Sequence, residues 1–190
     1  MPFISSRKSF LKSAALGDMD ELSYCLTYLI PAKFDLNVRD SSGRTALFLA
    51  TENGHLDVVK RLIESRADLD IANEDGLTPL IAAARGGKPA IARALIAAGA
   101  NVDAHDNNYA RAILDASRYG QLDVVQDLVA AGADINAVSN ATGRTALHWA
   151  VAGGHGPAVE YLLSKGARTD IADREGKTAL DLAQADGGRM

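Results

Sequence analysis

The sequence repeats itself every 33 residues, and that register restricts the chain to folds made by stacking one unit on the next. Thr45-Ala-Leu-Phe-Leu-Ala50 returns as Thr78-Pro-Leu-Ile-Ala-Ala83, as a degraded Arg111-Ala-Ile-Leu-Asp-Ala116, as Thr145-Ala-Leu-His-Trp-Ala150 and as Thr178-Ala-Leu-Asp-Leu-Ala183. The lead residues lie 33, 33, 34 and 33 apart. A second segment follows in phase, Gly54-His-Leu-Asp-Val-Val59 and Gly120-Gln-Leu-Asp-Val-Val125, with a divergent Gly87-Lys-Pro-Ala-Ile-Ala92. A third closes each unit: Arg66-Ala-Asp-Leu-Asp70, Gly99-Ala-Asn-Val-Asp103, Gly132-Ala-Asp-Ile-Asn136 and Gly166-Ala-Arg-Thr-Asp170.

Each unit reads as two helices and a reversal. The lead Thr can cap a first helix, and Pro79 suits its first turn because no helical partner is needed for the missing N–H. Gly54, Gly87, Gly120 and Gly154 end that helix in the left-handed conformation that glycine tolerates. Val58, Val59, Leu62 and Ile63, or Val124, Val125, Leu128 and Val129, follow at helical spacing and form one apolar face of a second helix. Gly99, Gly132 and Gly166 then turn the chain into an extended hairpin ahead of the next unit. A unit of this size cannot bury its apolar face alone, so neighbours must stack and the end units must differ. The 34 alanines and only 5% aromatic residues fit helices packed close together.

The period and the Thr-Pro-Leu start resemble the ankyrin repeat, with five matches in phase over roughly residues 10–186. The resemblance implies an all-α ankyrin-repeat solenoid of helix-turn-helix units joined by short β-hairpin loops. It divides the chain into a tail at 1–9, repeats at 10–39, 40–72, 73–105, 106–138 and 139–172, a C-terminal cap at 173–186 and a tail at 187–190. The first unit aligns through Gly17-Asp-Met-Asp-Glu-Leu22 but lacks the Thr-x-Leu start and carries about four extra residues between Thr27 and Phe34. The last unit stops after its first helix.

Composition narrows the function classes. Twenty basic against 24 acidic side chains give a net charge of −4, which disfavours a nucleic-acid surface. No apolar run approaches the ~18 residues of a membrane span, and Met1 to Leu16 lacks the apolar core of a secretory signal. The single cysteine, Cys25, excludes an internal disulfide framework and suits a reducing, cytoplasmic setting. No catalytic constellation is legible. Gly176-Lys177-Thr178 resembles the end of a phosphate loop, but Ile171 stands where that loop needs glycine. His55, His148 and His155 sit at repeat positions that the resemblance assigns to structural hydrogen bonds between units. His105 is off-pattern and has no second ligand spaced to join it. The expectation is therefore no enzyme, no metal and no cofactor.

The resemblance implies a protein-binding module, acting as adaptor, scaffold or inhibitor through a concave surface of hairpin tips and first-helix inner faces. Its partner is another protein, with neither nucleic acid nor membrane involved, and a capped solenoid has no need to dimerise, so a monomer is expected. The alanine-rich, irregular repeats suggest a bacterial source, which adds the alternatives of an immunity protein neutralising an enzyme or toxin, or a host-directed effector. With the glycine before the lead Thr as position 4, positions 2, 3 and 5 fall on the hairpin. Positions 10, 13 and 14 share one helix face. The residues so placed are Arg44, Glu52 and Asn53 in the second unit; Glu74, Asp75 and Arg85 in the third; and Asn107, Asn108, Asp115, Arg118 and Tyr119 in the fourth, to which Tyr109 adds a side chain at the glycine position itself. Trp149, the only tryptophan, joins them from the fifth. Tyr119, Arg118, Arg85 and Trp149 are expected to form one patch of the residue types that dominate interfaces. The fourth unit breaks local rules most, with Tyr109 for glycine, Arg111 for the capping Thr and Asp115 for an apolar residue. Restoring Gly and Thr there is expected to stabilise the chain by roughly 1–2 kcal/mol.

Overall fold

Thr45, Thr78 and Thr145 each place a side-chain oxygen over the first turn that follows, accepting from the amides of Phe48, Ile81 and His148. The first helices of these units start where the lead residue puts them. The computed structural model describes residues 7–28 and 35–187, so much of the expected insertion between Thr27 and Phe34 lies outside the described residues. Within them are α1 (Arg7–Leu16), α2 (Met19–Tyr28), α3 (Ala46–Asn53), α4 (Leu56–Glu64), α5 (Pro79–Arg85), α6 (Pro89–Ala97), α7 (Ala112–Arg118), α8 (Leu122–Ala130), α9 (Ala146–Ala152), α10 (Gly156–Ser164) and α11 (Ala179–Gly187). Residues 7–9, outside the repeat pattern, are helical, and Ser9 donates to Glu21 on α2. No strand forms among the described residues. Isolated bridges join His105 to Arg111 and Ala172 to Thr178.

The chain forms two units, Met1–Asn101 and Val102–Met190. In the first, α1, α3 and α5 stack as one row, α2, α4 and α6 as a second, and each first helix packs on its own second helix. In the second unit α7, α9 and α11 form a row and α8 and α10 lie beside it. First helices are enclosed: six consecutive residues of α3, Ala46 to Thr51, are buried. Second helices bury only one stripe, Val58, Val59 and Leu62 on α4 or Val124, Val125 and Leu128 on α8. Burying such side chains contributes about 1.5–3 kcal/mol each, which is why the amphipathic helix faces inward on that stripe alone. Cys25 is buried in the same manner on α2, and burial, helped by nearby Glu21, pushes its thiol pKa up.

Within each unit, successive repeats are also laced by side chains. Asn37, Asp70, Asp103 and Asn136, one per repeat, each accept a hydrogen bond at 2.9–3.0 Å from the amide of Asp68, Asn101, Asp134 or Arg168 in the next repeat. The histidines do similar work. His55 Nε2 bonds the Ala15 carbonyl and His155 Nε2 the Arg118 carbonyl, both at 3.0 Å. A Cβ on Gly17 would come within 2.7 Å of the His55 ring, and one on Gly120 within 2.4 Å of the His155 ring. These glycines are required by close approach as well as by positive φ. His148, fully buried, donates from Nε2 to the Lys177 carbonyl at 3.1 Å and accepts at Nδ1 from the Thr145 hydroxyl at 2.8 Å.

The fourth hairpin keeps the geometry of its neighbours with a different residue. Tyr109 takes φ +58°, where the matching glycines, Gly43, Gly76, Gly143 and Gly176, lie at 70–79°. Its ring stacks on His105 at 4.4 Å between centroids. Arg111 supplies no side-chain cap to α7, but its Nε donates to the Asp103 carbonyl at 3.2 Å. Both contacts oppose the gain expected from restoring the consensus. A left-handed tyrosine costs ~1–2 kcal/mol and the lost cap ~1. An aromatic stack is worth ~0.5–1.5 kcal/mol and a charged hydrogen bond ~1.5–3. Tyr109→Gly combined with Arg111→Thr is thus expected to shift stability by less than ~1 kcal/mol. A gain of twice that in urea unfolding would show that the two contacts contribute little.

Candidate functional site

The hairpins present their side chains because an Asx residue holds each turn rigid. Asp40 Oδ1 accepts from the amides of Ser42 and Arg44, both at 2.9 Å. Asn73, Asp106 and Asp173 repeat the arrangement on the amides two and four residues ahead. The fifth unit carries one extra residue, which explains its spacing of 34. Ser139 there pairs with Arg144 through the backbone, and Thr142 Oγ1 accepts from the Arg144 amide.

In the second repeat, Arg44 lies between Asp40 at 2.9 Å and Glu52 at 3.0 Å, tying the hairpin to the end of α3. Burial works against the ionised Asp40, but the two amides and the guanidinium outweigh it and hold the carboxyl below the usual range. Asn53 turns back to donate to the Leu49 carbonyl at 2.8 Å. Glu74 and Asp75 are exposed on the next hairpin, and Arg85 is exposed at the end of α5. Leu49, on the same helix face as Glu52, is buried.

The fourth and fifth repeats hold the denser cluster. The Arg118 guanidinium lies over the Trp149 ring at 4.7 Å and over the Tyr119 ring at 5.8 Å. A second guanidinium, that of Arg144, lies over Trp149 at 5.2 Å. Arg144 is held in turn by Asp173, Nε to Oδ2 at 3.1 Å, with the Asp173 side chain 1% exposed. Burial disfavours the charge on Asp173, but the Lys177 amide, the Arg144 side chain and the Glu175 amide more than offset it and lower its pKa. The His155 bond to the Arg118 carbonyl fixes the end of α7 from which Arg118 and Tyr119 project. Tyr119 is 50% exposed, Arg118 is exposed and Trp149 is half-buried. Arg118 is exposed beside these two rings.

The structure brings Arg118, Tyr119 and Trp149 together. Asn107 and Asn108 are exposed on the fourth hairpin, whereas Asp115 is buried. Arg85 belongs to the other unit. Spacing also missed two residues as a pair, Arg144 and Asp173. The signal was present: Arg44 bonds the carboxylate of its own turn, and where Ser139 replaces that carboxylate, Arg144 reaches the next turn's Asp173.

Chemically the cluster offers cation–π-stacked guanidinium groups and an exposed phenol. No group of three or more His, Cys, Asp or Glu among the described residues is placed to hold a metal ion. No helix among them is long and apolar enough to cross a membrane.

Over 57 residues, 30% of its length, this chain is 44% identical to human "Ankyrin repeat domain-containing protein 7" and spans 21% of that protein. Over a stretch of the same size it is 39% identical to "Transient-receptor-potential-like protein" of Caenorhabditis elegans, spanning 6% of it. The matches thus cover less than a quarter of either relative. The family model described as "Ankyrin repeats (3 copies)" matches residues 11–106 and 113–189. With most of its residues inside that match, the chain belongs to the ankyrin-repeat family.

Proposed function

We propose that this protein is a non-enzymatic binding module that holds a protein partner on its hairpin and first-helix face, acting as an adaptor, scaffold or inhibitor. Ankyrin repeats are generally protein-interaction modules. The observation that carries the reading for this chain is the Arg118–Trp149–Arg144 stack with Tyr119 exposed beside it. Arginine, tyrosine and tryptophan are the types that concentrate binding energy at interfaces. Here they are ordered before any partner arrives, which reduces the entropy lost on binding. Exposed Asn107 and Asn108 extend the same unit's polar rim.

The partner should be captured from cells with immobilised full-length chain, identified, and its affinity measured for three variants. Tyr119→Ala is expected to weaken binding by about 2 kcal/mol, since an exposed aromatic at an interface centre is a typical hot spot. Charge reversal at Lys60 or Glu160, exposed on the second helices, should change it by less than ~0.5 kcal/mol. If the second-helix reversals abolish binding while folded Tyr119→Ala binds normally, the partner uses the opposite face and the assignment fails.

A further inference from the structure

Charge in the second unit is sorted by surface. The whole chain is acidic, with a net charge of −4. On the hairpin and first-helix positions from the fourth repeat to the sixth hairpin, the balance reverses. Arg118, Arg144, Arg174 and Lys177 stand there, with Glu175 as the exposed carboxylate among the described residues at those positions. The other acids of these turns are buried. Asp106 and Asp173 hold their own hairpins' amides, and Asp115 lies inside α7. The second helices have the opposite sign: α8 and α10 carry Asp123, Asp127 and Glu160 and neither lysine nor arginine.

Arg174 adjoins the aromatic cluster through the hairpin before it. Its amide donates to the Thr142 carbonyl at 2.9 Å, and a Cβ on Gly143 would lie 3.3 Å from its Cγ. The matching Glu74 and Asn107 are exposed in hairpins that have a further repeat beyond them. Exposure at this position is therefore a property of the turn. Sign is not: the first unit places Glu52, Glu74 and Asp75 on the corresponding positions, with Arg44 bound between Asp40 and Glu52.

We infer that this face takes an acidic segment of the partner protein, in which carboxylates alternate with aromatic side chains. The inference rests on the reading of the face as a protein-binding surface and adds the partner's chemistry. A guanidinium offers a planar fork of N–H donors that matches the two oxygens of a carboxylate. Arg118 and Arg144 lie over Trp149 at 4.7 and 5.2 Å. An aromatic side chain packed against Trp149 or Tyr119 thus brings a neighbouring carboxylate to the cations. Complementary charge across an interface speeds association and rejects partners of the wrong sign. A nucleic acid is a poorer occupant. Two of the four cations are already matched, Arg144 by Asp173 and Lys177 by Glu175, both at 3.1 Å, and a phosphate backbone draws its affinity from many cations at once.

The test uses the full chain and the emission of Trp149, its only tryptophan. The probe is a short tryptophan-free peptide of alternating glutamate and phenylalanine. Two twins accompany it, one with lysine for glutamate and one with serine for phenylalanine. The acidic peptide is expected to change the emission saturably, and each twin to bind at least tenfold more weakly. Its affinity should fall at least tenfold in Arg118→Gln, at least threefold in Arg174→Gln, and steeply in about 1 M salt, where the Debye length is ~3 Å. Arg118 and Arg174 are exposed on separate repeats, so both variants should melt like the parent by circular dichroism. No saturable change, equal affinity for the lysine twin, or equal affinity in parent and both variants overturns the inference. So does tighter binding of a single-stranded RNA, which would make the face a phosphate surface. The captured partner separates this result from the wider reading. If Tyr119→Ala weakens that partner and the acidic peptide does not bind, the face stands and its partner chemistry falls. If folded Tyr119→Ala binds the partner normally, the face and this inference fall together.

Discussion

Trp149→Ala is expected to weaken partner binding by about 2–4 kcal/mol, the largest functional loss of any single truncation in this chain. The ring is a shared support for two guanidinium groups, at 4.7 and 5.2 Å. Removing it deletes a contact surface and releases Arg118, whose side chain would have to be ordered again by the partner at ~0.5–1.5 kcal/mol. Arg144 should stay in place because Asp173 holds it independently. Trp149→Phe keeps an aromatic face and should recover part of the loss. Calorimetry on the purified pair reads the affinity, and thermal melting must be read beside it, since a half-buried tryptophan also packs the fifth repeat. A folded Trp149→Ala protein that binds with parental affinity would remove the cluster from the interface.

Asp173→Ala is expected to destabilise the protein by roughly 2–4 kcal/mol, because it breaks a buried ion pair and unties a turn in one step. Oδ1 accepts from the Glu175 and Lys177 amides at 2.9 and 3.0 Å, and Oδ2 from Arg144 at 3.1 Å. Asp173→Asn retains an oxygen for the turn and loses the charge, so it should cost less than half as much. The two variants also separate by pH. A carboxylate whose folded pKa lies below its unfolded value of ~3.9 stabilises the fold above that value and stops doing so as pH falls through the folded pKa. Asp173 and Asp40 are both of this kind. The parent should therefore lose stability steeply below about pH 4, and Asp173→Asn should show a shallower acid limb in urea titrations. Equal slopes would mean that the Arg144–Asp173 pair contributes nothing to the acid transition.

What the sequence determined by itself was the local grammar. Thr45, Thr78 and Thr145 cap because a hydroxyl at that backbone position can reach only the next turn's amides. The glycines at 43, 54, 76 and 120 sit at positive φ because side-chain sterics exclude most residues there. Tyr109 could be marked as an exception on the same reasoning, and it does occupy the left-handed region. The 33-residue register carried the stack with it, since a half-buried unit must be covered by its neighbour.

Tertiary structure decided what spacing could not. Positions sharing a helix face were treated alike, yet Leu49 and Asp115 are buried while Trp149 is half-open. Which of them sees solvent depends on the neighbouring repeat's bulk. The bonds from Asn37, Asp70, Asp103 and Asn136 into the next repeat, and the reach of Arg144 to Asp173, link residues 29 to 32 positions apart. Their partners come within ~3 Å only once the units are stacked, so no local rule could choose them. The 60% exposure of Leu180 belongs to the same class. In sequence Leu180 is one more leucine in register, and only the packed structure shows that nothing among the described residues covers it.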